Sequence, residues 1–285
     1  MVNNWLKTSI LLAGLTALML GIGNALGGQD GAVLALILAA ITNFIAYWFS
    51  DSIILALYGA KEITFEDEPI LFNKLASLAE KAKLPMPKLY IISNKIPNAF
   101  ATGRDPENSS IAVTSGLLSL LEQNEVSAVL AHELSHIKHR DTLLATITAT
   151  IAGAISMLAN WAQWAIFLGH SDDNRRSRTS GIYTFIMIVL SPIIASLIQM
   201  AISRSREFAA DNEGAKICGE PEKLATALLK LDSVAAKSIF YRVEQNPATA
   251  HLFIVNPLQA TAILNLFSTH PPITERVKRL RAIKL

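Results

Sequence analysis

One cysteine, Cys218, stands in 285 residues, so no disulfide can close within the chain. That suits a reducing compartment, and Cys218, far in sequence from any histidine cluster, reads as a small apolar core residue. Charge is scarce too: 17% of residues are Asp, Glu, Lys or Arg, against about a quarter in an ordinary globular chain. The net charge is only +2, and no basic run with interleaved aromatics occurs. Both facts exclude a nucleic-acid partner. No internal repeat or low-complexity tract breaks the chain.

Apolar residues fill that space. They make up 51% of the sequence, its mean hydropathy is +0.37, and they gather in runs rather than spreading evenly. Ser9–Gly27, Val33–Ser50, Leu143–Gly169 and Gly181–Ile202 each reach the ~18 uncharged residues of a membrane span. The first two are joined by Gly28-Gln-Asp-Gly31, a tight reversal, which makes them a hairpin and a retained anchor rather than a cleaved signal peptide. Tyr47 and Trp48 near the end of the second run suit the bilayer interface. Lys7 before the first run, with no Lys or Arg between the first two, predicts that Asp51 to Asp141 face the cytoplasm. Arg175, Arg176 and Arg178 between the last two runs oppose that rule and fit a second hairpin that penetrates incompletely.

The polar stretch between the hairpins has globular patterning. Asp67-Glu-Pro69 predicts a capped helix start, with apolar spacing continuing to Lys83. Lys88–Ile92, Ala99–Thr102 and Ile111–Thr114 predict strands, and Asn124 predicts the cap of a helix running to about His139. Ser203–Ile217, Pro221–Val234 and the tail from Pro272 read as helices. The expected fold is therefore α+β, mostly helical: a multi-pass membrane protein with two helical hairpins and a catalytic domain carrying a small β-sheet. Its expected parts are a hairpin at 1–50, a first catalytic portion at 51–142, a second hairpin at 143–202 and a second catalytic portion at 203–285.

The chemistry concentrates in AHELSHIKHRD, residues 131–141. On a helix His132 and His136 differ by about 40°, so both rings leave one face and can share a metal ion, with Glu133 beside them. This is H-E-x-x-H, in which the glutamate serves as general base. His139 also falls on that face but lies ~10 Å along the axis from His132, too far to share the same ion. A third ligand must come from elsewhere: Glu207, Glu213, Glu220, Glu222, Glu244 and Glu275 are candidates. Glu207 stands out because its helix follows the fourth apolar run as the histidine helix precedes the third. Two intervening spans return the chain to the same side. Asp211, one turn beyond Glu207, is spaced to accept the second N–H of a ligating histidine. The plainer reading is a solvated face pairing with Arg204 and Arg206.

Four ordered motifs, AHELSHIKHRD, SRSREFAAD (203–211), PNAFATG (97–103) and STHPPITERVKRL (268–280), resemble the HtpX-type membrane zinc metalloproteases of the M48 peptidase family. The resemblance implies a zincin-like (gluzincin) domain holding one Zn2+ on His132, His136 and Glu207, with Glu133 catalytic. It implies that Asn98, Ala99, Phe100 and Ala101 line the substrate cleft as an edge strand, and that His270 and Arg276 lie near the reacting groups and stabilise the transition state. It also implies peptide or membrane-protein substrates, a place in the cell inner membrane and a role in clearing misfolded membrane proteins. An intramembrane protease would bury H-E-x-x-H within a span, whereas Lys138, His139 and Arg140 flank it here. A metal-binding membrane protein or transporter without enzymatic activity would need ionisable residues within the runs, and these hold none, only neutral polar groups such as Asn43, Asn160 and Gln199.

Overall fold

Helix α1 (Asn4–Leu57) doubles back on itself at Gly27 and Gly28, the latter at φ +57°, a conformation that only glycine adopts without strain. The computed structural model describes residues 4–148, 150, 151, 204–237, 254 and 271–284. Most of the third and fourth apolar runs therefore lies outside the described residues, as do His270 and Glu244.

The two arms of α1 touch along their length. Asn43 Nδ2 donates to Thr16 Oγ1 at 2.9 Å and lies 3.4 Å from the Leu12 carbonyl oxygen. Leu34, Ile37 and Phe44 point outward, each more than half exposed. Among the described residues one helix, Gly27–Leu57, is long and apolar enough to cross a membrane; Leu6–Gly21 is apolar but shorter. At ~1.5 Å per residue the second arm outruns a bilayer core of ~30 Å. Its excess is used: Ser50, Ile54 and Leu55 are buried, so the helix runs through the expected boundary at residue 50 into the body of the protein.

That body is a four-stranded sheet in the order β1 (Lys61–Ile63), β2 (Lys88–Ile92), β4 (Ser109–Thr114), β3 (Ala99–Gly103). β2 and β4 run parallel; β1 and β3 pair antiparallel to their neighbours. β1 is an addition to the three strands read from the sequence. The period-two alternation of strands divides the sheet into two faces. Leu89, Ala99, Ala101, Ile111 and Val113 join the main core with α2 (Pro69–Ala82) and α4 (Gln123–Lys138). Ile92, Phe100 and Ala112 face Ile54 and Leu55 of α1, and Phe100 lies 5.5 Å from the Tyr58 ring.

Two expected caps differ. Asp67 does not cap α2: its carboxylate instead accepts from the Thr64 amide and hydroxyl, and Glu68 occupies the cap position. Asn124 lies inside α4, which begins one residue earlier behind a reciprocal capping box of Glu122 and Glu125. α4 is the central element, packed against α2, β3, α5 (Arg204–Cys218) and α6 (Pro221–Lys237). Its Leu130, Leu134 and Ile137 are almost wholly buried. A short helix α3 (Ser115–Leu120) links β4 to α4, and α7 (Ile273–Arg281) closes the described chain against α5 and α6.

Candidate metal centre and active site

α4 carries His132, Glu133 and His136 in a single turn, the first two buried and His136 partly so, at the contact with α5. That contact depends on Gly214. A methyl carbon there would sit 2.9 Å from both Cα and N of His132, closer than such atoms approach in proteins. Glu207, Asp211 and Gly214 follow i, i+4, i+7 spacing on α5, so the face that comes closest to α4 also presents the two carboxylates.

The Nε2 atoms of His132 and His136 stand 3.3 Å apart with the rings nearly perpendicular, at 88°. Glu207 approaches both: Oε1 lies 3.6 Å from His136 Nε2 and Oε2 lies 3.8 Å from His132 Nε2. One ligand atom from each of the three residues falls within 4.8 Å of the others. Ligands bound at ~2.0–2.1 Å to a tetrahedral zinc ion are separated by about 3.3 Å, so this spacing and this N, N, O donor set fit one.

Each imidazole has a carboxylate at its other nitrogen. His132 Nδ1 lies 3.1 Å from Asp211 Oδ1, and His136 Nδ1 lies 3.2 Å from Asp141 Oδ2. Arg276, fully buried, donates to both oxygens of Asp211 at 2.8 and 2.7 Å and comes within 3.5 Å of Glu207. Burial opposes ionisation of Asp211, but the adjacent Arg276 charge prevails and holds the carboxyl down to about 2. Arg206 Nη1 lies 3.5 Å from Asp141 Oδ1.

Glu133 is buried, and desolvation raises its carboxyl above the ordinary range despite the neighbouring histidines. Its Oε2 accepts the amide hydrogen of Ala101 at 2.8 Å, which ties it to β3. Burial lowers the tendency of His136 to hold a proton, but Asp141, Glu207 and Glu133 outweigh it and push the ring up to about 9.

The other expected site residues separate into groups. Of the edge strand, Ala99 and Ala101 carry the peptide groups directed away from β4, while Phe100 is core. Asn98 Oδ1 accepts from the Ile254 amide at 3.2 Å, a structural tie. Arg276 stands behind the histidines, its guanidinium engaged by Asp211, Glu207 and the Ile254 carbonyl. His139 ends α4, with Nδ1 3.3 Å from Ser135 Oγ. Asp141 and Gly214 were not among the expected site residues. A continuous helix would turn Asp141 about 140° from His136. It is the left-handed Arg140, at φ +56°, that folds Asp141 back.

Two histidines and a glutamate around one point, with a second glutamate alongside and an edge strand within its reach, define a metallohydrolase. The comparisons narrow the class. The sequence model of Peptidase family M48 matches residues 67–284. The chain is 52% identical over 283 residues to Protease HtpX of Legionella pneumophila strain Philadelphia 1, covering 99% of this chain and all of that one. It is 49% identical over 284 residues to a Protease HtpX homolog of Sulfurihydrogenibium sp. strain YO3AOP1, covering 98% and 96% of the two chains. The crystal structure of S. mikatae Ste24p shares the fold, with a TM-score of 0.53 at 16% identity over 98% of this chain and 67% of that one. The chain belongs to peptidase family M48, and it is a membrane metalloprotease of the HtpX type.

Proposed function

We propose that the protein is a zinc-dependent endoprotease that cleaves unfolded stretches of membrane proteins. One observation carries this reading: His132, His136 and Glu207 converge on one point while Glu133 sits beside them, bonded to the edge strand. Zinc bound by these three residues supplies Lewis acidity toward the scissile carbonyl and acidifies water.

Glu133 accepts the proton of the attacking water and passes it to the departing amine. The Ala101 amide fixes one oxygen of Glu133 and leaves the other for proton transfer. An extended peptide adds to β3 through the outward peptide group of Ala99 and the carbonyl of Ala101, whose amide is held by Glu133, a mode of binding largely indifferent to side-chain identity. Asp211 holds the His132 ring from behind, and Arg276 holds Asp211. Arg276 is thus a positioning residue, and transition-state stabilisation is left to groups that face the cleft.

The arms of α1 and the later apolar runs anchor residues 51–142 and 203–285 on the cytoplasmic side of an inner membrane, where exposed loops of misfolded membrane proteins are within reach. In detergent-purified full-length protein, Glu133→Gln is expected to keep one zinc per chain and to lose roughly 10²–10⁴-fold in cleavage of a fluorogenic peptide. His136→Ala is expected to lose both. Cleavage by Glu133→Gln at the unaltered rate would end the general-base assignment.

A further inference from the structure

We infer that Asp141 is a positioning residue of the metal centre, holding the ring of His136 as Asp211 holds that of His132, and that Arg206 holds Asp141 in turn. This rests on the zinc site proposed above and extends it to two residues that lie close to its ligands in sequence.

The two histidines are served in parallel ways. At His132 the order is Nδ1, Asp211, Arg276; at His136 it is Nδ1, Asp141, Arg206. In both, one carboxylate oxygen lies 3.1 or 3.2 Å from the ring nitrogen directed away from the ligand point. Such a partner fixes which nitrogen carries the proton and makes the opposite nitrogen a better donor to metal. Asp141 is itself 8% exposed, so its charge is placed for a local partner rather than for solvent.

The backbone shows how this is arranged. α4 ends at Lys138, Arg140 adopts φ +56°, and the chain resumes as a helix at residue 141. Asp141 therefore starts the next helix while its side chain returns to the previous one. That new helix is anchored on two sides. Thr142 Oγ1 donates to the Gly103 carbonyl at 3.0 Å, and Thr146 and Thr102 share a hydrogen bond of 2.9 Å. Leu143, Leu144 and Ile147 pack against Leu11 of α1. Lys7 of α1 also lies within electrostatic reach of Asp141 and Arg206. The membrane hairpin thereby braces the helix whose first residue orients a metal ligand. Arg206 is the residue before Glu207, so the start of α5 supplies both a ligand and the clamp on the opposite histidine's partner.

A plainer role for Asp141 is favourable charge at a helix start, worth a few tenths to about 1 kcal/mol. That role predicts lost thermal stability without lost metal affinity. The test uses full-length protein in detergent, with zinc affinity measured by chelator competition and Co2+ as a spectroscopic probe. Wild-type binding of about one zinc per chain is the first requirement; its failure would sink the zinc site itself. Given that binding, Asp141→Ala should weaken zinc affinity by about 10–100-fold and change the visible Co2+ bands, with helical content of the metal-free protein retained. Arg206→Ala should weaken affinity less, by roughly 3–10-fold. Should Asp141→Ala fail to fold, Asp141→Asn decides, because it keeps the shape and removes the charge. Zinc affinity and Co2+ bands in Asp141→Asn indistinguishable from wild type would overturn the inference while leaving the ligands untouched.

Discussion

The arms of α1 and the α4–α5 pair both bring two helices close through glycine, yet they are inside out relative to one another. Around α1 the apolar side chains point outward: Leu34 is 58% exposed and Phe44 57%. Between α4 and α5 the charged side chains point inward: His132, Glu133, Glu207 and Asp211 are all buried. The surroundings explain each arrangement. Lipid, where we propose that α1 sits, would impose no hydrophobic penalty on outward Leu and Phe, so α1 would need only close packing and a few internal hydrogen bonds. Buried carboxylates and imidazoles are costly unless each has a partner. Every one between α4 and α5 has an arginine, a backbone amide, another ring or a place at the metal point.

The largest test of that contrast lies in the two glycine contacts. A methyl at Gly214 meets the backbone of His132, which cannot yield without moving the helix. Gly214→Ala is expected to cost about 1–3 kcal/mol, read by thermal unfolding, and to weaken zinc affinity at least about tenfold by parting the ligands. Gly23 lies tighter still, against Gly31 and Ala35 of the other α1 arm. Gly23→Ala should disturb the hairpin yet leave zinc affinity within about twofold, because the contact is remote from the ligands. Equal zinc loss in both variants would show that the two helix pairs are one mechanical unit.

A smaller effect separates the metal-free from the loaded site. In the metal-free protein His136 is raised from 6.5 to about 9, so its charged form stabilises the fold. That contribution is complete below 6.5 and is lost as pH rises through about 9. Metal-free protein should therefore show a falling Tm between those pH values. Zinc-loaded protein should not, since metal takes the place of the proton. Over the same range zinc affinity should rise with pH. The α1 arms, which present no such group to each other, should contribute nothing to either trend.

How far the sequence discloses these arrangements depends on the range of the interactions behind them. H-E-x-x-H is legible because helical periodicity alone puts His132 and His136 on one face. The reversal in α1 is legible because adjacent glycines interrupt two apolar runs. Glu207 is singled out by an expected parity of two spans, most of whose residues lie outside the described ones; its carboxylate is found beside the two rings. Asp141 is illegible by periodicity, since its position follows from one left-handed residue, Arg140. β1 is three residues, Lys61-Glu-Ile63, without alternation, and exists through its pairing with β2. Arg276 could be placed near the site by motif but not assigned its partner. Its burial against Asp211 spans 65 positions and arises only when α7 packs on α5.

The smallest expected effect belongs to Asn43. Its amide joins the α1 arms through Thr16 Oγ1, and Thr16 in turn donates to Leu12 O. In water such a surface-helix pair would exchange freely with solvent. In lipid the alternatives are fewer, but an isolated arm also finds partners for its polar groups, so the net gain stays near 0.6 kcal/mol on average, roughly, for interhelical bonds in membranes. Asn43→Leu is therefore expected to change unfolding in detergent by no more than about 1 kcal/mol, with proteolysis and zinc affinity unaltered. A loss of several times that size would mean the Asn43 amide does more than join two helices. The interior of the hairpin would then share the polar character of the α4–α5 contact, and the contrast between the two regions would fail at its apolar end.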